Sequence, residues 1–125
     1  MSYYVDGFVL PVPKDKIEEY RKMAETAAEV WMDHGALAYR ECVGDDLVPS
    51  FGLPFTKLAN TNPDETVVFA WIMYPSREDR DRINASVMAD PRLQCDPANM
   101  PFDCQRMAYG GFKTLVSAEA SAVAR

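Results

Sequence analysis

The sequence predicts an α+β domain in which a four-stranded antiparallel sheet carries two helices on one face. Six segments with strand-like or helix-like patterns follow one another in the order β-α-β-β-α-β, and stretches containing proline or glycine separate them. The length of 125 residues fits one domain with one core, and a hydrophobic content of 48% is enough to fill that core.

The first half of the chain supplies a strand, a helix and a second strand. Tyr3 to Val12 is rich in β-forming residues and ends between two prolines. From Lys14 to His34, apolar residues recur at helical spacing among charged ones, and Gly35 follows, as is common just after a helix. Leu37 to Val43 is the second predicted strand.

A long connection, Gly44 to Asp64, follows the second strand and contains several prolines and a glycine that break any regular pattern. Loops of this length are uncommon in compact domains and are often functional. Because Phe51, Leu53 and Phe55 lie in this segment, we expect it to pack against another part of the protein.

The second half of the chain supplies the other three elements. Glu65 to Tyr74 is the clearest strand, since no polar residue interrupts it after Thr66. Ser76 is a typical N-cap, and we predict that the helix after it runs to about Ala89. The last strand is predicted from Gln105 to Val116, and its two adjacent glycines indicate a bulge or a close backbone approach rather than a phosphate-binding loop.

This order of elements is that of the ferredoxin-like βαββαβ sandwich, in which the first and last strands are neighbours. We assign residues 1–116 to this single domain and residues 117–125 to a flexible C-terminal tail, because the tail is small and polar.

The strands of such a sandwich should be apolar on the helix side and polar on the other side. The third strand is instead apolar on both faces, and so is much of the first. We therefore expect a second copy of the sheet to bury the extra apolar face in a homodimer. The alternative is that the Gly44–Asp64 segment folds back over this face.

Charge and composition argue against several classes of function. The net charge is −6 and the basic residues are dispersed among acids, so nucleic-acid binding is not expected. The N-terminus does not read as a signal peptide, and no apolar run approaches the roughly 20 residues of a membrane span. We expect a cytoplasmic protein without membrane contact.

Three cysteines without a CxxC pair predict neither a disulfide framework nor a zinc ribbon, and a reducing cytosol disfavours a Cys95–Cys104 bridge.

Asp6 and Arg106 are charged residues inside apolar strands that the fold makes neighbours. A buried charge persists only when it is paired or hydrogen-bonded. One interpretation is an internal ion pair that fixes the strand register, and the other is that both residues line a ligand cavity. Trp71, Tyr109 and Phe112 are either core packing or an aromatic wall of that cavity.

Asp103 closes the segment Met100-Pro101-Phe102-Asp103, which precedes the last strand and is expected near the mouth of the cavity. The predicted ligand-binding set is therefore Asp6, Trp71, Asp103, Arg106 and Tyr109.

The remaining polar residues carry weaker signals. His34 is the only histidine, and we interpret it as a structural residue at a helix end. Arg40 and Glu41 point to opposite faces of the second strand, so one of them should meet solvent. We assign no catalytic residue, no metal site and no cofactor.

Several strings together identify a resemblance. They are YVDGF in the first strand, VVFAWIMYPS at the third, VMADPR at the end of the second helix, and MPFD with RM-YGGF around the last strand. They resemble the YbaA-like family, a bacterial group of uncharacterised function in the dimeric α/β-barrel superfamily. The resemblance spans about residues 3 to 115 and implies a ferredoxin-like sandwich that pairs into a dimeric α/β barrel. It implies no activity.

Three functions remain open at this point. The first is a dimer that binds a small, mostly apolar molecule without changing it. The second is a small enzyme, either a cofactor-free monooxygenase or an isomerase, by analogy with the superfamily. The third is a dimeric protein-interaction module without a ligand. The sequence favours a binding protein or small enzyme but does not establish whether the protein is an enzyme.

Overall fold

The computed structural model describes residues 3–93 and 97–120. Its regular elements, in chain order, are β1 (Tyr4–Pro13), α1 (Ile17–Asp33), β2 (Ala38–Val43), α2 (Phe55–Leu58), β3 (Glu65–Tyr74), α3 (Arg77–Met88) and β4 (Ala108–Lys113). Short 3-10 turns at Lys14–Lys16, Pro97–Asn99 and Cys104–Arg106 complete the described part of the chain. The predicted βαββαβ order is confirmed, with α2 as an additional short helix.

The four strands form one antiparallel sheet in the order β2-β3-β1-β4. Tyr4 pairs with Tyr74 across β1 and β3, and this register continues to Pro13 opposite Glu65. On the other side of β1, Phe8 pairs with Tyr109 of β4. The first and last strands are therefore neighbours, as the sequence predicts.

Both long helices pack on the same side of the sheet, which we call the helix-covered face. The apolar side of α1 contributes the buried residues Tyr20, Ala24 and Val30, and α3 contributes Ile83 and Val87. These side chains pack in two apolar clusters against alternate residues of β1 and β3, and Phe8 contacts both clusters. The opposite side of the sheet, which neither long helix covers, we call the open face.

Local signals in the sequence place the start of α3 and the end of α1 correctly. The Ser76 hydroxyl accepts a hydrogen bond from the Asp79 backbone N–H at 3.1 Å and so caps the start of α3. Gly35 follows α1 with φ of +114°, a conformation that glycine adopts more easily than other residues. Within the described ranges, no helix combines the length and the apolar character needed to cross a membrane.

The prediction for the last strand is wrong at both ends. The strand covers Ala108–Lys113 rather than Gln105 to Val116. Asp103 accepts a hydrogen bond from the Gln105 N–H at 3.0 Å and starts a 3-10 turn, so Arg106 lies before the strand and not inside it. Strand propensity from Gln105 onward was outweighed by this local turn.

The open face carries the apolar residues that the sequence placed there. Phe69 is 46% exposed and Phe112 is 61% exposed, although both side chains are large and apolar. The 44–64 segment contacts this face, where the rings of Phe55 and Phe69 lie 6.3 Å apart. Val67 of the same face is only 2% exposed, whereas Phe51 in the loop is 87% exposed, so the segment leaves Phe69 and Phe112 partly uncovered.

Candidate functional site

Asp6 lies on the helix-covered face of β1 and is only 5% exposed. Its Oδ2 accepts a hydrogen bond from the Tyr74 hydroxyl at 3.0 Å and a longer one from Asn84 Nδ2 at 3.4 Å. The Arg80 guanidinium lies 3.6 Å from its other oxygen. Since a buried carboxylate requires such partners, α3 supplies much of what stabilises Asp6.

Trp31 extends these contacts to the first helix. Its indole N–H donates to the Tyr74 hydroxyl at 3.1 Å and to Asn84 Oδ1 at 3.0 Å. Burial, reinforced by the neighbouring Asp6 carboxylate, raises the pKa of Tyr74. The Tyr74 phenol therefore stays protonated and donates a hydrogen bond to Asp6. The network joins α1, α3 and the two central strands.

Arg80 also holds the Tyr4 side chain, which accounts for Gly111 in the last strand. Its guanidinium carbon lies 4.9 Å from the centre of the Tyr4 ring, and it donates to the Tyr4 hydroxyl at 3.2 Å. That hydroxyl lies directly over Gly111, where the Cβ of any other residue would collide with it. The close approach predicted for the glycine pair is therefore confirmed at Gly111.

The predicted ion pair between Asp6 and Arg106 is wrong. The Arg106 guanidinium binds both oxygens of Glu65 at 2.7 and 2.9 Å and the Asn60 carbonyl at 2.6 Å. This bidentate pair joins the start of β3 to the turn before β4, and it lowers the pKa of Glu65. Glu65 lies opposite Pro13 at the end of β1, whereas Asp6 lies near the start of that strand, so Arg106 is not placed to reach Asp6.

The other predicted ligand residues also lie apart. Trp71 lies on the open face, where the Arg40 guanidinium lies 5.8 Å from its ring centre. Tyr109 lies on the helix-covered side of β4 and stacks on Phe8 at 6.0 Å. The two rings therefore do not form one aromatic wall.

The Asp103 side chain caps the 3-10 turn Cys104–Arg106 by accepting a hydrogen bond from the Gln105 N–H. The five predicted residues thus belong to several separate parts of the molecule, and ligand contact at any of them stays a prediction.

A groove of about 320 Å³ opens on the helix-covered side, between α1 and the edge strand β2. We call it the α1–β2 groove. Its apolar lining comes from both elements and from β3, namely Ile17, Ala24, Ala28, Val43 and Val68. Arg21 and Glu25 of α1 also line it and are exposed. Such a mixture of apolar lining and a few polar groups is typical of small-molecule sites.

A cluster of two phenols and one carboxylate lines the groove, and we call it the Glu41 cluster. Tyr20 donates to Glu41 Oε1 at 2.6 Å, and Tyr39 donates to Glu41 Oε2 at 2.6 Å. Burial raises the pKa of both tyrosines, and the nearby Glu41 carboxylate raises them further. Both phenols therefore remain protonated and act as donors to Glu41.

The sequence analysis missed this cluster, although one signal was present. Tyr39 and Glu41 are two residues apart on a strand and so share a face, as do the residues that pair with them, Ile72 and Ala70. That face is the helix-covered one, so Glu41 is half-buried while Arg40 is exposed. The prediction that one of the two charges meets solvent is confirmed, and Arg40 is that residue.

His34 has the structural place that its position predicts. Its Nε2 lies 2.8 Å from Asp90 Oδ2, which connects the end of α1 to the residues after α3. Arg92 also binds Asp90, at 2.8 Å, and the hydrogen bonds from Arg92 and His34 lower the pKa of Asp90. Cys95, the proposed partner of a disulfide with Cys104, lies outside the described residues.

The open face holds a second, shallower groove of about 560 Å³. Val5, Phe69, Trp71 and Phe112 line it, and the segment after β4, from Thr114 to Glu119, borders it. Within residues 3–93 and 97–120, no three His, Cys, Asp or Glu side chains gather in a way that would hold a metal ion.

Comparison with protein families gives a match over most of the chain. The model of a family described as a protein of unknown function (DUF1428) matches residues 3–104. The uncharacterised protein YbaA of Escherichia coli K12 is 44% identical over 113 residues, which cover 90% of this chain and 97% of that protein. The protein of the same name from Shigella flexneri shows the same identity and coverage.

Solved structures with little sequence similarity share the fold. A NIPSNAP family protein of unknown function from Agrobacterium tumefaciens has a TM-score of 0.57 at 15% identity, covering 90% of this chain and 87% of that chain. A candidate antibiotic-biosynthesis monooxygenase from Bacillus cereus has a TM-score of 0.53 at 12% identity, covering 96% and 100%. A dimeric ferredoxin-like protein from an uncultured marine organism has a TM-score of 0.52 at 13% identity, covering 95% and 98%. At these identities, the likeness shows the fold alone.

Proposed function

We propose that this chain, which belongs to the DUF1428 family of proteins of unknown function, is a homodimeric α/β-barrel protein that binds a small, mostly apolar molecule in the α1–β2 groove. The observation that carries the proposal is the Glu41 cluster, because it places a half-buried carboxylate between two phenols in an otherwise mainly apolar groove. A polar group in such surroundings orients a ligand, while the apolar walls supply most of the affinity.

The size of the groove limits the ligand. Its volume of about 320 Å³ lies at the lower end of the roughly 300–1,000 Å³ range of small-molecule sites. One aromatic ring with a short side chain is the scale of molecule that fits. Larger cofactors exceed the volume of the groove.

The homodimer in this proposal rests on the open face. Large apolar side chains on it, including Phe69 and Phe112, remain about half exposed in the single chain. Apolar surface of this kind is typical of a protein interface, and two-fold dimers are the commonest assembly. One structure of the same fold is described as a dimeric ferredoxin-like protein. A second copy of this chain, packed sheet against sheet, is the occupant we propose.

The groove is tested by filling it without touching the Glu41 cluster. Ala28 of α1 lines the groove, so Ala28→Trp should block it. The exposed Ala85 of α3 does not line it, and Ala85→Trp is the matched control. Single-ring aromatic fragments are screened against the wild-type protein by ligand-observed NMR, and the hits are titrated against both variants.

We expect Ala28→Trp to weaken binding of the hits by about tenfold or more, ~1.4 kcal/mol, and Ala85→Trp to leave it unchanged. Equal binding by all three proteins would place the ligand elsewhere. A screen without a hit would contradict the binding proposal and favour the protein-interaction module.

A second candidate function is oxidation of the bound molecule by dioxygen without a cofactor. Its support is the fold shared with the candidate monooxygenase from Bacillus cereus and a groove that combines apolar walls with phenols and a carboxylate. Oxygen uptake in the presence of an aromatic quinol, abolished in Ala28→Trp and kept in Ala85→Trp, would support it. No uptake above the rate without protein would exclude quinol oxidation.

A further inference from the structure

The Glu41 cluster has no side-chain proton left to offer a ligand. A tyrosine hydroxyl carries one proton, and those of Tyr20 and Tyr39 are both donated to Glu41 at 2.6 Å. What remains at the cluster is lone pairs, on the two phenol oxygens and on the carboxylate. Because burial raises the pKa of both tyrosines, this division of donors and acceptors persists through the physiological pH range.

The other polar side chains that line the groove do not change this balance. Arg21 is the charged donor, but its side chain is 61% exposed and its Nε binds Glu18 at 3.0 Å. Glu25 also lines the groove, so two carboxylates there accompany one guanidinium. The whole chain carries a net charge of −6. An anionic ligand group would therefore meet more acceptors than donors and a net negative charge.

We infer that the α1–β2 groove selects ligands that present a hydrogen-bond donor to the Glu41 cluster, namely amines and alcohols on a small apolar skeleton, and rejects the corresponding carboxylates. This inference rests on the proposed function, since it concerns the same groove. An ammonium group gains charge-assisted hydrogen bonds to the carboxylate and the phenol oxygens. A ligand carboxylate would lose its water shell and gain no donor from the cluster.

The test compares three probes with one skeleton: 2-phenylethylamine, 2-phenylethanol and phenylacetate. Dissociation constants are measured by ¹H–¹⁵N NMR titration of the wild-type protein at neutral pH and constant ionic strength. We expect the amine and the alcohol to bind, and phenylacetate to bind weaker than either by about tenfold or more. The Ala28→Trp variant should bind none of them.

Two variants show which group sets the preference. Glu41→Gln replaces the acceptor carboxylate by a neutral amide that also carries donors, so the amine should lose about tenfold in affinity and phenylacetate should not. Arg82→Ala removes a similarly exposed guanidinium on α3, outside the groove, and should leave the ratio of amine to carboxylate affinity unchanged. If Glu41→Gln fails to fold, the affinity ratio in the wild-type protein decides the inference by itself.

The outcomes separate this inference from the proposed function. If phenylacetate binds as tightly as the amine and Ala28→Trp abolishes its binding, the donor preference would be overturned, while the groove would be supported as the binding site. Binding of all three probes that Ala28→Trp does not affect would overturn both. An amine preference that survives Glu41→Gln would also overturn the inference, because the selectivity would then come from another group.

Discussion

β1 and β3 present alternate residues to the two faces of one sheet, and the two faces are completed in different ways. On the helix-covered face, Asp6 and Tyr74 find hydrogen-bond partners on α1 and α3. On the open face, Phe69 is about half exposed and a shallow apolar groove lies beside it. A polar group can thus be buried where the chain itself supplies partners, while the apolar open face is the surface that we propose a second copy covers.

The largest expected effect is loss of the proposed dimer when a charge is placed on the open face. Phe69→Glu is the variant of choice, because Arg40 lies against Trp71 and would partly neutralise a carboxylate there. In a two-fold dimer each substitution occurs twice. We expect the dissociation constant to rise by about 100-fold or more, ~3 kcal/mol, measured as a fall to the mass of one chain by light scattering.

The matched control is Met88→Glu, which adds the same charge at an exposed residue at the end of α3. It should leave the mass unchanged. If the wild-type protein is monomeric at micromolar concentration, the open face does not bind a second copy, and the proposed difference between the two faces is contradicted.

The next effect concerns the helix-covered face. Asp6→Ala leaves the Arg80 guanidinium without its buried partner, which costs about 3–5 kcal/mol for a fully buried pair. Since the Arg80 side chain is 21% exposed, we expect the lower end, about 3 kcal/mol, as a loss in free energy of unfolding in urea. Samples must have equal protein concentration, because dimer stability depends on it.

Its control is Glu18→Ala, which removes an ion pair with Arg21 whose two side chains are mostly exposed. That substitution should change the free energy of unfolding by no more than about 0.5 kcal/mol. If both substitutions cost the same, Asp6 is not held by a buried network.

The smallest effect is a pH dependence at the edge of the sheet. The hydrogen bonds from Arg106 hold the pKa of Glu65 below its ordinary value of 4.5. A lowered carboxyl pKa means that the folded state binds the proton less readily than the unfolded state. Glu65 therefore stabilises the fold fully above pH 4.5 and less as the pH falls through its folded-state pKa.

Glu65→Gln should lower the free energy of unfolding by about 1 kcal/mol at neutral pH and flatten its decline in acid. Urea unfolding at a series of pH values between neutral and acidic measures both. Asp64→Asn, at the exposed neighbouring residue, is the control and should retain the wild-type slope. A parallel decline in Glu65→Gln and the wild type would show that the pair with Arg106 does not contribute to acid sensitivity.

The amino-acid sequence by itself determined the order of elements, the bounds of β3, the N-cap at Ser76 and the turn at Gly35. It also determined that the sheet has two apolar faces. These features depend on residues a few positions apart, through helical spacing, strand alternation and the conformational freedom of glycine. They can therefore be inferred without knowing how distant elements pack.

The tertiary structure alone decided which charges meet. Asp6 pairs with Arg80 and not with Arg106, because α3 brings Arg80 to the start of β1 while a capped turn keeps Arg106 beside Glu65 at the start of β3. The Glu41 cluster likewise forms only because α1 brings Tyr20 over β2. Hydrogen bonds require atoms within about 3 Å. Such distances between elements far apart in sequence are set by the packing of the whole core, which no local pattern encodes.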